Sequence, residues 1–169
     1  GDNGVIRTTS NGGETWFGKA SGTSENINDF KLYFNLFSLG WIVGNNGMIR
    51  KTIDEMSNWI PQWSGTSENL NTIFMVNTDL GYIAGSNGIV LRTTNGGSEW
   101  IHSWIGMNVN LNSLQFIDAA NAWIASDDGY LFKSIDSGKT WTQQFRFTEM
   151  DLNVVYFHNE NTGWLIGGD

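Results

Sequence analysis

Residues 81–100 read Gly-Tyr-Ile-Ala-Gly-Ser-Asn-Gly-Ile-Val-Leu-Arg-Thr-Thr-Asn-Gly-Gly-Ser-Glu-Trp. A short apolar run, Tyr82-Ile83-Ala84, meets Asn87-Gly88, and a second run of strand-forming residues follows. An Asn-Gly pair accepts positive φ at both central positions, as a two-residue type I′ hairpin turn demands. The stretch therefore predicts two antiparallel strands. The same pattern recurs on both sides, with GDNG at Gly1, GNNG at Gly44, SDDG at Ser126 and GGD at Gly167. The spacings are 43, 41, 41 and 41 residues, and a two-residue insertion near Phe34–Phe37 accounts for the longer first interval. The string SGTSEN also occurs twice, at Ser21–Asn26 and Ser64–Asn69.

Each repeat divides into four short strands. The first alternates in polarity, as in Leu111–Phe116 and Leu152–Phe157. The second is nearly all apolar: Trp41-Ile42-Val43, Tyr82-Ile83-Ala84, Trp123-Ile124-Ala125 and Trp164-Leu165-Ile166. The third is Met48–Thr52 and its equivalents, and the fourth opens with Trp16, Trp59, Trp100 or Trp141. No stretch sustains a 3.6-residue apolar period, so almost no helix is expected. Four strands every 41 residues or so is the spacing of β-propeller blades. A second strand that is apolar on both faces fits a sheet sandwiched between two neighbours. The predicted fold is an all-β propeller of four-stranded antiparallel blades forming a single domain over 1–169. It comprises a half-blade at 1–20, blades at 27–63, 70–104 and 111–145, and a half-blade at 151–166.

Composition narrows the function. Nine Lys and Arg face seventeen Asp and Glu in 169 residues, for a net charge of −8. That field opposes nucleic acid and anionic membranes. The chain has no Cys, which removes disulfides, thiolate metal ligands and a Cys nucleophile. Nine Trp and 40% hydrophobic residues exclude disorder. No apolar run reaches the ~18 residues of a membrane span. Without an initiator Met or signal peptide, the chain reads as processed, truncated or excerpted.

The turn between the third and fourth strands carries a motif. Ser134–Trp141 matches the Asp-box of bacterial neuraminidase repeats throughout. Thr9–Trp16 and Thr93–Trp100 differ by Asn11 and Asn95 in place of Asp, and Thr52–Trp59 keeps Asp54 but has Met56 in place of Gly. The Asp or Asn side chain is expected to cap N–H groups of the turn, with Gly at positive φ and Trp anchoring the hairpin. With the G-W-x-x-G strand and the G-x-N-G turn, the chain resembles the photosystem II stability/assembly factor family, within the neuraminidase-repeat propellers. The resemblance implies a ring of seven or eight blades. It also implies that box turns lie away from the usual active-site face. Asn11, Gly13, Trp16, Asp54, Trp59, Asn95, Gly97, Trp100, Asp136, Gly138 and Trp141 are then structural. Three closures remain open: part of a longer array, four-bladed closure within one chain, or a homodimer forming eight blades. An isolated open monomer would expose sheet edges.

A catalytic residue in a repeat should break the repeat. Arg7, Arg50 and Arg92 follow it, which leaves Arg146 too isolated for the arginine cluster of a sialidase. Asn28, Asn71, Asn112 and Asn153 recur once per unit and read as backbone-bonding fold features, or as a ring of amides at the channel mouth. His102 and His158 do not repeat and read as surface residues without metal spacing. Asp127 and Asp128 replace the usual turn residues, and Glu149 and Asp151 follow in the next loop. They read as turn formers or as a four-carboxylate group able to bind calcium or act as acid and base. Trp63 and Trp104 on the fourth strand either pack between outer strands or stack on a ligand. The ligand face is expected from Asn3, Asn46, Asn87, Asp127 and Asp128, with Glu25, Glu68, Glu149 and Asp151.

No metal or cofactor is called for. The expected function is a non-catalytic, exported scaffold that binds a protein partner or a glycan. By the resemblance, relatives bind photosystem II subunits in the thylakoid lumen; a secreted relative elsewhere shares the same motifs. A carbohydrate-active enzyme, needing two suitably spaced carboxylates, is the alternative. A filament built from half-blades is a third.

Overall fold

The computed structural model describes residues 1–33, 38–147 and 149–168. The expected insertion at Phe34–Phe37 lies outside the described residues. Strands β1 (Ile6–Thr8) and β2 (Phe17–Lys19) form a two-stranded sheet. Three four-stranded antiparallel sheets follow in chain order. The first holds β3 (Ile27–Tyr33), β4 (Leu39–Gly44), β5 (Ile49–Thr52) and β6 (Ile60–Gln62). The second holds β7 (Leu70–Met75), β8 (Gly81–Gly85), β9 (Ile89–Thr93) and β10 (Ile101–Trp104). The third holds β11 (Leu111–Phe116), β12 (Ala122–Ser126), β13 (Tyr130–Ser134) and β14 (Thr142–Arg146). A last pair, β15 (Leu152–Asn159) and β16 (Thr162–Gly167), stands as its own sheet. Each tryptophan expected to open a fourth strand lies one residue before it. This is the meandering blade of a β-propeller, repeated.

The Asn-Gly turns take the backbone their sequence requires. Asn46 has φ 54° and ψ 36°, Gly47 follows at φ 68°, and Met48 N donates to Asn45 O at 3.1 Å. The hairpin is one residue longer than a bare two-residue turn. Gly44 N also donates to Met48 O, while Asn45 N turns away to donate to Asn26 O at 3.1 Å. The extra residue lets the hairpin tip bond to the preceding loop.

The core lies between the blades. Trp41, Val43 and Ile49 of the first complete blade pack on Leu70, Ile73, Met75, Ile83, Leu91 and Trp100 of the second. Tyr82, Ala84 and Val90 then pack on Leu111, Leu114, Phe116 and Phe132 of the third. Ala125 and Leu131 pack on Leu152 and Val155. The second strands β4, β8 and β12 are covered on both faces, which explains their continuous apolar run.

The recurring Asn residues are inter-blade ties. Asn28, Asn71 and Asn112 each donate Nδ2 to the first carbonyl of the next inner strand, Leu70, Leu111 and Leu152, all at 3.0 Å. Further out, Lys51 Nζ donates to Gly96 O at 2.8 Å above the Trp41 ring. Burial lowers the Lys51 pKa, and the Asp79 carboxylate partly offsets this.

The third-to-fourth-strand turns are closed by their own side chains. Ser134 Oγ accepts from Gly138 N at 2.9 Å, and Asp136 Oδ1 accepts from Thr140 N at 2.9 Å. Thr9 and Asn11 repeat this geometry, as do Thr93 and Asn95. In the remaining turn, Met56 occupies the glycine position at φ 61°. A side chain there costs about 1–2 kcal/mol. Met56→Gly is therefore expected to stabilise the protein by about 0.5–1 kcal/mol, after the added entropy of the unfolded glycine. Urea denaturation checks this; a lower midpoint would mean that Met56 packing outweighs its strain.

Asp136 also makes the fold acid-sensitive. The Thr140 hydroxyl, the Thr140 N–H, Ser134 and the Lys139 N–H hold its carboxyl at about 2, against partial burial. The folded value lies below the unfolded ~3.9, so this stabilisation is complete above about pH 4 and lost as pH falls toward 2. Asp136→Asn, which copies Asn11 and Asn95, is expected to flatten thermal stability over that interval while holding it at neutral pH. Thermal melts of both proteins from acid to neutral pH provide the check.

Candidate functional site

The hairpin turns and the loops between successive blades meet at one end of the sheets. Asn46 Nδ2 donates to Glu25 Oε2, and Asn87 Nδ2 to Glu68 Oε2, both at 2.8 Å. The two SGTSEN loops thus hold their glutamates identically. Within them Ser21 and Ser64 Oγ accept from the N–H of Thr23 and Thr66, and Thr23 and Thr66 Oγ1 accept from the N–H of Glu25 and Glu68. The following residue pins the turn itself. Asn3 N donates to Asn26 Oδ1 at 2.9 Å, Asn46 N to Asn69 Oδ1 at 3.2 Å, and Asp128 N to Asp151 Oδ1 at 3.1 Å. The third–fourth-strand turns, with Asp54 and Asp136, lie at the opposite end of the same strands, because consecutive antiparallel hairpins alternate ends.

The acidic corner is tied up differently from a cation site. Asp127 accepts from Asn110 Nδ2 and Asn112 Nδ2, both at 2.7 Å. Glu149 lies 3.9 Å from Arg146 Nη1, and Arg146 Nε donates to Asp128 O at 3.0 Å. The Arg146 guanidinium also sits over the Tyr130 ring at 5.2 Å. The structure therefore brings Asp151 to Asp128 through a backbone N–H and sends Glu149 to Arg146. Among the described residues, no three His, Cys, Asp or Glu side chains form a metal-holding group.

Trp63, just after β6, and Trp104, the last residue of β10, are 87% and 60% exposed, and their rings are not packed between outer strands. Trp104 Nε1 donates to Asn87 O at 3.1 Å, which fixes its ring beside the hairpin turn. There a shallow hollow of about 380 Å³ is lined by Glu68, Asn87, Ile89, His102, Ser103 and Trp104. His102 Nε2 lies 2.6 Å from the Ser64 carbonyl, so that nitrogen carries the donated proton. Sequence reasoning set His102 aside as a lone surface histidine. Its signal was the i, i+2 spacing to Trp104, which puts both on one face of β10. At the equivalent of Trp104, Phe145 is exposed and packs on Phe147 at 5.3 Å between ring centres.

No family model and no curated protein matches the chain. Solved structures do. YCF48 bound to a D1 peptide superposes with a TM-score of 0.76 at 17% identity, covering 98% of this chain and 55% of that one. YCF48 from Cyanidioschyzon merolae gives 0.72 at 16% identity over 99% of this chain and 62% of that one. The fold is that of the YCF48 and GH74 propellers. The GH74 enzyme of Niastella koreensis gives 0.77 at 16% identity, covering 99% of this chain and 30% of the enzyme. The chain thus spans between half and two thirds of the YCF48 chains it matches. No helix among the described residues is long and apolar enough to cross a membrane.

Proposed function

We propose that this chain is a non-catalytic, exported propeller, a single domain over 1–169, that holds a protein partner on its acidic loop face. The observation that carries the reading is how the carboxylates there are used. Glu25, Glu68, Asp127 and Asp151 all serve as acceptors that pin turns, from Asn46, Asn87, Asn110 with Asn112, and the Asp128 N–H. A hydrolytic pair needs carboxylates free to exchange protons with substrate. What this face offers a ligand is fixed negative charge at Glu68 beside the exposed Trp104 ring, with Trp63 exposed at the equivalent strand end of the preceding blade. That suits an extended polypeptide carrying Lys or Arg, with the rings supplying cation–π and apolar contact. YCF48 bound to a D1 peptide shows that this fold can take a peptide.

The exposed tryptophans favour one second reading, a glycan platform or glycosidase fragment, since aromatic faces also suit apolar sugar faces. One experiment separates the two. Labelled synthetic cationic and anionic peptides are titrated by fluorescence polarisation against wild type and Trp104→Ala, at low and high salt. Aryl glycosides and soluble polysaccharides are assayed in parallel. The cationic peptide is expected to bind, to weaken in salt, and to weaken about tenfold with Trp104→Ala. Equal binding of both peptides, or turnover of any glycoside, would overturn the proposal.

A further inference from the structure

The hollow beside Trp104 has a filled counterpart one blade further on. Trp104 faces Ile89 across β10 and β9. Tyr130 opens β13 as Ile89 opens β9. Counted along the repeat, Phe145 is the counterpart of Trp104. The third complete blade carries a bulge, however. Leu131 faces Phe145 while Phe132 faces Gln143, so Gln144 is an extra residue and Arg146 comes to face Tyr130. Arg146 therefore takes the structural place of Trp104.

The two side chains are anchored alike. Trp104 Nε1 donates to Asn87 O at 3.1 Å, and Arg146 Nε donates to Asp128 O, the carbonyl of the equivalent turn residue, at 3.0 Å. The Arg146 guanidinium lies over the Tyr130 ring at 5.2 Å, and its Nη1 is 3.9 Å from Glu149. In the third blade this corner thus holds a cation between an aromatic ring and a carboxylate.

The second blade has the ring and the carboxylate without the cation. Its ring is the exposed Trp104. Its carboxylate is Glu68, from the loop that enters the blade and not from the one that leaves it. Both are fastened to Asn87, Trp104 through the carbonyl and Glu68 Oε2 through the amide, at 2.8 Å. Glu68 is half-buried, and its Oε1 has no partner among the described residues. None of the described residues lining the hollow of about 380 Å³ is Lys or Arg. His102 supplies one wall, with Nε2 committed to the Ser64 carbonyl. Blades pack on both faces of this sheet, so the hollow lies open within a completed part of the fold.

We infer that this hollow seats one arginine side chain of the polypeptide partner, an assignment that rests on the loop face being a binder of cationic peptide. The guanidinium stacks on the Trp104 ring and donates to Glu68 Oε1, in the role that Arg146 fills within the chain. Arginine suits the seat better than lysine. A guanidinium is flat, so it lies on a ring while its edge N–H groups donate in plane to a carboxylate alongside. An ammonium is a compact, strongly hydrated point charge and gives up one contact for the other. Asn87 also holds both Glu68 and Trp104 before the ligand arrives, which lowers the ordering cost of binding.

Short Gly-Ser peptides with one central Arg, Lys or citrulline provide the test, because citrulline keeps the arginine shape without its charge. Each is titrated into isotope-labelled protein while nuclear magnetic resonance follows the Trp104 indole N–H, identified by its loss in Trp104→Phe. The Arg peptide is expected to shift that signal. It is also expected to bind about tenfold more tightly than the citrulline peptide and about threefold more tightly than the Lys peptide. Glu68→Gln keeps an oxygen for the Asn87 amide, so the turn stays pinned. That variant is expected to erase the advantage of Arg over citrulline, with backbone signals outside the hollow unchanged. Equal binding of the Arg and Lys peptides, both above citrulline, would overturn the arginine seat and leave the cationic-peptide reading standing. No preference for either over citrulline would overturn both. Arg binding that leaves the Trp104 signal unmoved, or that survives Glu68→Gln in full, would put the peptide elsewhere and overturn the seat.

Discussion

Tyr82→Ala is expected to cost about 4 kcal/mol of folding stability, the range for deleting a buried aromatic ring. Tyr82 is wholly buried between the second and third complete blades and stacks on Phe116 at 4.2 Å between ring centres. Its hydroxyl donates to Ser137 O and accepts from Arg92 Nε at 3.2 Å. Removal opens a cavity at a blade–blade joint and strands both polar partners. Two controls divide the loss. Tyr82→Phe keeps the ring and is expected to cost about 1–2 kcal/mol through the unpaired groups. Tyr82→Trp is expected to recover most of the stability, because Trp41 fills the equivalent place and donates to Gly96 O. Urea denaturation of the three variants is the measurement. A loss below about 1 kcal/mol for Tyr82→Ala would mean that adjacent blades are not coupled through this position.

Gly88→Ala is expected to cost about 3 kcal/mol or more, although it adds a single methyl group. Gly88 lies at φ +72°, and a Cβ there would come within 2.1 Å of the Met107 carbonyl oxygen. Neither side can yield easily. Gly88 N donates to Val109 O at 2.8 Å, and Ile105 N donates to Gly88 O at 3.2 Å, so the turn and the following loop are fastened at two points. Gly4 and Gly47 face Thr23 O and Thr66 O in the same way. The variant is also expected to loosen Trp104, whose indole donates to the adjacent Asn87 O. Thermal melting reads the stability loss and tryptophan emission the loosened ring. An unchanged melting temperature would show that the loop can retreat at little cost.

Much of the architecture was legible in the amino-acid order. The Asn-Gly turns, the capped Thr-x-Asn and Ser-x-Asp turns, and the strands between them involve residues two to four apart, so their geometry is local. That Asn28, Asn71 and Asn112 bond the backbone was legible too, because a polar residue recurring once per repeat at the inner strand answers a backbone need; that the carbonyl belongs to the next blade came only from the structure. The candidate site was only partly so. The loop face could be assembled from turn and loop positions. That Glu149 turns to Arg146, and that Asp127 is held by two amides, depended on side-chain direction across a loop.

Identical repeat positions also have different fates. Phe30 in β3 and Ile73 in β7 hold the same position of the inner strand in their blades; Ile73 is buried because Trp41 and Val43 of the preceding blade pack on it, while Phe30 is exposed. His102 and Trp104 share a face of β10 by their spacing alone, but they meet Glu68 and Asn87 only when β10 is laid on β9. By itself the sequence determined the repeat, the strand order and the turns, since those depend on neighbours along the chain. The tertiary structure decided which apolar faces are covered and which aromatic rings reach solvent, since burial is set by residues about forty positions away.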